Sequence, residues 1–174
     1  MNRPLTLLTL IPPRWILAMA TLGPLGRTLK APGTWGSAVG ILWYTVFFAP
    51  LGDLWLLFFG LFTVLLAVGI CGQAEVILGK RDPGEVILDE MVAVPFCFAG
   101  IMPLLRAAEG VGTPPAWLVL VMAFLLFRLF DVLKPFGINR LQHLRGGWGV
   151  VVDDVAAALA TAFCLHLIIR FIPW

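Results

Sequence analysis

Three apolar stretches of this chain carry acids where a membrane helix should have none. They read KRDPGEVILDEMVAVPF (residues 80–96), FRLFDVLKPFGIN (127–139) and RGGWGVVVDDVAAALATAF (145–163). An acid at mid-bilayer costs about 2.5–3.5 kcal/mol on insertion scales, so acids in such helices face the bundle interior and pair, or do chemistry. Asp89 and Glu90 follow Val86-Ile87-Leu88, which places them nearly two turns into a helix that begins near Asp82. Arg128, Asp131 and Lys134 are spaced i, i+3, i+6, so consecutive members meet on one helix side. Pro135 then ends or kinks that helix. Asp153 and Asp154 are expected in or just before the first turn of the last helix, where the dipole favours an acid by roughly 0.3–1 kcal/mol. One acid suffices for capping, and two exceed it.

Hard oxygen donors on several segments suit Mg²⁺, which takes one or two carboxylates together with water and phosphate oxygens. Arginine and lysine beside them would hold a phosphate and stabilise its developing charge. Cys71, Cys97 and Cys164 lie singly in apolar runs, and His143 and His166 are the only histidines, so no zinc set is present. The combination points to phosphoryl chemistry on an amphiphile. The competing class is a small membrane transporter or an ion or proton channel. It would need acids near mid-span and a route through to the far side. A transferase using CDP-activated lipid ranks lower, because no D-G-x₂-A-R signature is present.

Several neighbouring residues have simpler readings. Asp82, Pro83 and Glu85 fit a helix start, with an N-cap, a proline at N1 and an acid at N3 reaching back. Gly146, Gly147 and Gly149 are read as a loop whose backbone N–H groups approach a ligand, although Gly-Gly-x-Gly matches no P-loop. His166 is read as a core or interface residue. His143 lies near the proposed site with a minor claim on phosphate or a leaving group. Trp43, Trp55, Trp117 and Trp174 read as interfacial anchors.

The elements that must position these residues are membrane helices. Of 174 residues 60% are hydrophobic and only 13% charged, against roughly 45–50% and 25% in soluble domains. The length allows one membrane-embedded domain over 1–174, and a net charge of +2 gives no case for nucleic acid. No protein partner is expected, only the bilayer and a lipid. The N-terminal stretch is broken by Pro12 and Pro13 and is not read as a signal peptide. Uncharged runs predict spans near 54–74, 91–105, 110–127 and 155–169. A shorter helix over about 37–49 either spans with tilt or re-enters. The fold expected is an all-α polytopic bundle of four to five membrane helices. Alternating five spans puts Arg3, Arg14, Arg27, Lys30, Lys80, Arg81, Arg128, Lys134, Arg140 and Arg145 on one side, and only Arg106 and Arg170 on the other. By the positive-inside rule the first side is cytoplasmic. It also receives Asp82, Glu85, Asp89, Glu90, Asp131, Asp153 and Asp154. Three segments thus bring acids to one membrane face.

Four motifs, PGTWGS (32–37), DPGEVILDE (82–90), FRLFDVLKP (127–135) and GGWGVVVDD (146–154), together resemble the phosphatidylglycerophosphatase A family, in its order and over most of the chain. The resemblance implies a Mg²⁺-dependent lipid phosphatase of a bacterial inner membrane, with its site facing the cytoplasm. It would convert phosphatidylglycerophosphate to phosphatidylglycerol and inorganic phosphate. On that basis Asp89, Glu90, Asp131, Asp153 and Asp154 form the metal-binding cluster, and Asp131, Asp154, Asp89 and Lys134 carry catalysis. Arg128 and Lys134 clamp the phosphate, and Thr34 and Ser37 donate hydrogen bonds to the headgroup. Ser37 has an alternative reading as a helix N-cap. A Mg²⁺-activated water is the expected nucleophile, with an aspartyl-phosphate through Asp131 as the alternative. One departure is visible. The family commonly follows its K-P motif with an aromatic and a second proline, whereas this chain reads Lys134-Pro135-Phe136-Gly137, which bears on loop geometry more than on chemistry.

Overall fold

A computed structural model describes residues 10–107, 114–135 and 137–172. Its elements are α1 (Pro13–Ala20), α2 (Leu25–Thr28), α3 (Pro32–Trp43, continued by a π turn at Tyr44–Phe48), α4 (Asp53–Leu78), α5 (Leu88–Leu105), α6 (Ala116–Leu133) and α7 (Gly147–Phe171). A 3-10 turn, Ile138–His143, precedes α7, and no strand occurs among the described residues. Helices α4 to α7 are each long and apolar enough to cross a bilayer. Helix α3 with its π turn reaches about 25 Å at 1.5 Å per residue, a little short of the ~30 Å hydrocarbon core. Four to five membrane helices is therefore the architecture. Large side chains such as Phe58, Leu65, Leu125, Val132 and Phe163 remain exposed, forming the surface suited to lipid.

Local chemistry explains most element ends. Pro115 precedes α6, as the Pro-Pro pair predicts, while the expected start at Gly110 lies outside the described residues. Pro95, which has no N–H to give, sits where α5 changes from α-helix to a 3-10 turn over Val94–Phe98. Gly79 ends α4 in the left-handed conformation.

Helix α7 is the centre of the bundle and packs against α4, α5 and α6. Two of its glycines are packing devices. A Cβ on Gly147 would lie 1.8 Å from the Val68 carbonyl oxygen, and one on Gly149 would lie 2.6 Å from that of Leu144. The expected ligand-approaching glycine loop is thereby corrected, because Gly147 and Gly149 are already helical and let α7 lie against α4 and the chain before it. Helix α7 thus begins well before Val155, and Asp153 and Asp154 lie about two turns inside it rather than in its first turn.

Two further boundaries differ from expectation. Asp82 and Glu85 form no capping box. Asp82 adopts φ +46° and donates its N–H to Glu75 Oε1 at 2.8 Å, and Pro83-Gly84 makes a turn. Ile87 donates its N–H to the Ala20 carbonyl at 2.9 Å, so α5 starts only at Leu88, and Asp89 and Glu90 occupy its first turn. Ser37 is no N-cap either, since α3 starts at Pro32.

Candidate active site

Five elements deliver polar groups to one end of the bundle: the N-termini of α3 and α5, the C-termini of α4 and α6, and the first half of α7. Asp89 and Glu90 arrive on α5, and Asp154 on α7. One ligand oxygen from each of the three lies within 4.8 Å of the others. All three are nearly closed to solvent, at 5%, 9% and 4% exposure. Asp89 Oδ1 and Glu90 Oε2 are buried without a hydrogen-bond partner. A buried carboxylate oxygen left unpaired is costly, and three such groups together repel. Hard anionic oxygens converging this way fit a divalent oxygen-loving cation. Such an ion would be held by Asp89, Glu90 and Asp154.

The ladder on α6 stands beside this cluster. Arg128 Nη1 donates to Asp131 Oδ2 at 2.6 Å and lies 3.9 Å from Glu90 Oε1. The Lys134 ammonium lies 4.0 Å from Asp131 Oδ1 and hydrogen-bonds Asp153. Asp131 is close enough for its charge to act on both Glu90 and Asp154. The side chains of Arg128 and Lys134 retain 23% and 19% exposure against 12% for both Asp131 and Glu90, so the two cations are the outer members of the site. Burial pulls the Lys134 ammonium down, but its hydrogen bond and ion pair with Asp153 outweigh that and hold it above its ordinary value. It stays charged through neutral pH. Lys134 takes the left-handed conformation at φ +44° just after α6, at the turn that leads toward α7.

The expected site residues therefore divide. Asp89, Glu90 and Asp154 form the cation-type cluster, with Asp131 and Arg128 against it. Asp153 is the partner of Lys134 and does not join the three, although its Oδ1 is also buried without a partner. Thr34 sits half-buried in the first turn of α3. Ser37 is fully buried, and its hydroxyl donates to the Gly33 carbonyl at 2.8 Å. His143 lies outside the cluster, in a cavity of about 260 Å³ with Glu75, Arg81, Asp82 and Gln142. Arg81 ties that rim together through the carbonyls of Gln142 and Leu144. His166 is far down α7, with Nδ1 2.8 Å from the Ala162 carbonyl. Gly137 takes φ +83°, so the departure after Pro135 supplies the conformation that starts the Ile138–His143 turn.

One contributor was not anticipated. A Cβ on Gly33 would lie 2.3 Å from Glu90 Oε1 and 3.0 Å from Arg128 Nη1. The signal was present in PGTWGSAVG, whose glycines at 33, 36 and 40 recur at helical spacing on one face.

Helices long and apolar enough to cross a bilayer, gathering carboxylates and cations at one end, suit an integral membrane enzyme of lipid phosphate metabolism. The chain belongs to the phosphatidylglycerophosphatase A family, whose model matches residues 18–169. It is 35% identical over 159 residues to phosphatidylglycerophosphatase A of Haemophilus influenzae, covering 91% of this chain and 90% of that protein. It is 29% identical over 158 residues to the Escherichia coli K12 protein of the same name, covering 88% and 83%. A putative phosphatidylinositol-3-phosphatase of Bacteroides thetaiotaomicron is 34% identical over 146 residues, covering 82% and 85%. No solved structure matches the chain significantly.

Proposed function

We propose that this protein is a Mg²⁺-dependent phosphatidylglycerophosphatase of a bacterial inner membrane, working at the cytoplasmic face. The observation that carries the reading is the buried Asp89–Glu90–Asp154 cluster flanked by Arg128 and Lys134, in a chain of that family. Bound there, Mg²⁺ supplies Lewis acidity toward a phosphoryl oxygen and lowers the pKa of water. Arg128 offers its fork of donors to the phosphomonoester oxygens, while Asp131 fixes the guanidinium plane. Lys134, anchored by Asp153, adds a second positive charge opposite the developing negative charge. Asp131 is the carboxylate between these cations and partly open to solvent, and it takes the proton of the attacking water. As oxygen bonds to phosphorus the ester P–O bond breaks, and that proton passes to the departing glycerol oxygen. Orientation is supported by exposed Arg27, Lys30, Lys80, Arg81, Arg140 and Arg145 at the site end of the helices.

The test is inorganic phosphate release from phosphatidylglycerophosphate in detergent micelles, with Mg²⁺ and with EDTA, for wild type and Asp131→Asn. Release that needs Mg²⁺ and falls at least 100-fold in the variant supports the reading. Inert, well-folded wild type refutes it. Phosphatidylinositol 3-phosphate belongs in the same assay because of the Bacteroides relative's name. Faster release from that lipid would reassign the substrate and keep the chemistry.

A further inference from the structure

Helix α3 carries none of the charged groups of the site, yet its first turn lies directly on them. A Cβ on Gly33 would stand 2.3 Å from Glu90 Oε1, 3.0 Å from Arg128 Nη1 and 3.3 Å from Arg128 Nη2. A Cβ on Gly36 would stand 3.2 Å from Glu90 Oε2, the oxygen that has no hydrogen-bond partner. Glu90 is 9% exposed, so its carboxylate is packed against this turn rather than held in solvent. Neither glycine has a positive φ, so backbone freedom does not explain them. The other glycines beside them in sequence serve different contacts: Gly40 meets Val94, and Gly26 meets the Glu85 carbonyl. Among the described residues, only Gly33 has the Glu90 carboxylate and the Arg128 guanidinium as its three nearest atoms.

We infer that Gly33 is a positioning residue, whose missing side chain forms the seat for Glu90. It holds that carboxylate at the N-terminal end of α3 in a geometry able to ligate a divalent cation, while leaving Arg128 free for phosphate. The inference rests on the proposed metal-dependent reaction for its context and adds a residue to it. The N-terminal end of α3 favours a carboxylate there through the helix dipole. A methyl group introduced at position 33 cannot coexist with Glu90 Oε1 at 2.3 Å, so the carboxylate must swing away from Asp89 and Asp154. Shortening the acid by one methylene is the change that makes room.

The experiment measures Mn²⁺ binding by electron paramagnetic resonance on purified protein in detergent, together with thermal melting and steady-state phosphate release. Variants are Gly33→Ala, Glu90→Asp and the double variant, with Gly84→Ala as control because nothing lies within 4 Å of its Cβ position. Gly33→Ala is expected to weaken Mn²⁺ binding at least tenfold and to lower kcat more than it raises KM. Glu90→Asp alone should weaken Mn²⁺ binding, and added to Gly33→Ala it should restore it at least threefold. That reversal of sign is a pairwise coupling that a purely structural glycine would not show. If Gly33→Ala fails to fold, rescue of folding and Mn²⁺ binding by Glu90→Asp is the same criterion. Unchanged Mn²⁺ affinity in Gly33→Ala, or a double variant no better than Gly33→Ala, overturns the inference. A wild type that binds Mn²⁺ at this seat but releases no phosphate refutes the phosphatase reading and leaves the role of Gly33 standing.

Discussion

Replacing Asp154 with asparagine should make the cation-free protein more stable and the enzyme inactive. The side chain keeps its shape, and only a charge is lost from a group of three carboxylates whose ligand oxygens lie within 4.8 Å of one another. At that separation and an effective dielectric of 20, each like-charge pair costs about 3.5 kcal/mol. Asp154 takes part in two such pairs, so the gross repulsion removed is about 7 kcal/mol before relaxation. Side chains in the cation-free protein move apart and water enters, so a net gain of about 1–2 kcal/mol is the working expectation. For a chain of this size that raises the melting temperature by about 2–8 °C. The assay is thermal melting in detergent with EDTA and then with Mg²⁺. In EDTA the variant should melt above wild type. On adding Mg²⁺ wild type should gain stability by ligand linkage, whereas the variant should gain much less, and phosphate release should fall at least 100-fold. A variant that melts below wild type in EDTA would refute the reasoning, because it would show Asp154 to be a structural partner rather than a ligand held in readiness.

Arg128, Lys134 and Ser37 give three further expectations. Arg128→Lys keeps the charge but loses the planar fork, and should lower kcat/KM for the lipid phosphate 10- to 100-fold in the same release assay. Lys134→Met leaves Asp153, 2% exposed, without its cation and should lower the melting temperature clearly; adding Asp153→Asn should recover stability without recovering turnover. Ser37→Ala removes a hydroxyl that donates only to the Gly33 carbonyl, and should leave phosphate release within about threefold of wild type. A loss of 100-fold there would return Ser37 to the headgroup.

What the sequence disclosed was local or topological. The Arg128–Asp131–Lys134 ladder was legible because helical spacing alone brings i and i+3 together, and the pairs are present at 2.6 Å and 4.0 Å. The convergence of three acid-bearing segments was legible because apolar runs alternate direction across a bilayer. What remained hidden depends on partners distant in the chain. The late start of α5 follows from the Ile87 N–H reaching the Ala20 carbonyl, which no capping pattern near Asp82 announces. The early start of α7 follows from Gly147 lying on Val68 and Gly72, so glycines that looked like a loop were helix contacts. Lys134 choosing Asp153, nineteen residues on, separated that acid from Asp154 beside it. Adjacent acids on a helix point about 100° apart, and in α7 one turns to the lysine and the other to the cluster.

The distribution of polar groups along α7 also bears on the choice between hydrolysis and transport. Beyond Asp154 the buried positions are Ala157, Ala158, Thr161, Ala162, Leu165 and Ile169. The polar one among them, Thr161, gives its hydroxyl to the Ala157 carbonyl, and half-buried His166 is engaged by Ala162 in the same way. Both bond to the backbone of their own helix. An ion or proton relay needs successive polar groups handing on across the membrane, and Thr161 and His166, which follow the carboxylates in this helix, are bonded to their own backbone. Among the described residues Asp53 is the acid at the far end, where it opens α4. The described part of α7 is charged near its start and mostly small and apolar at the buried positions beyond. That arrangement offers the transport reading no support, in line with the chain's membership of a phosphatase family.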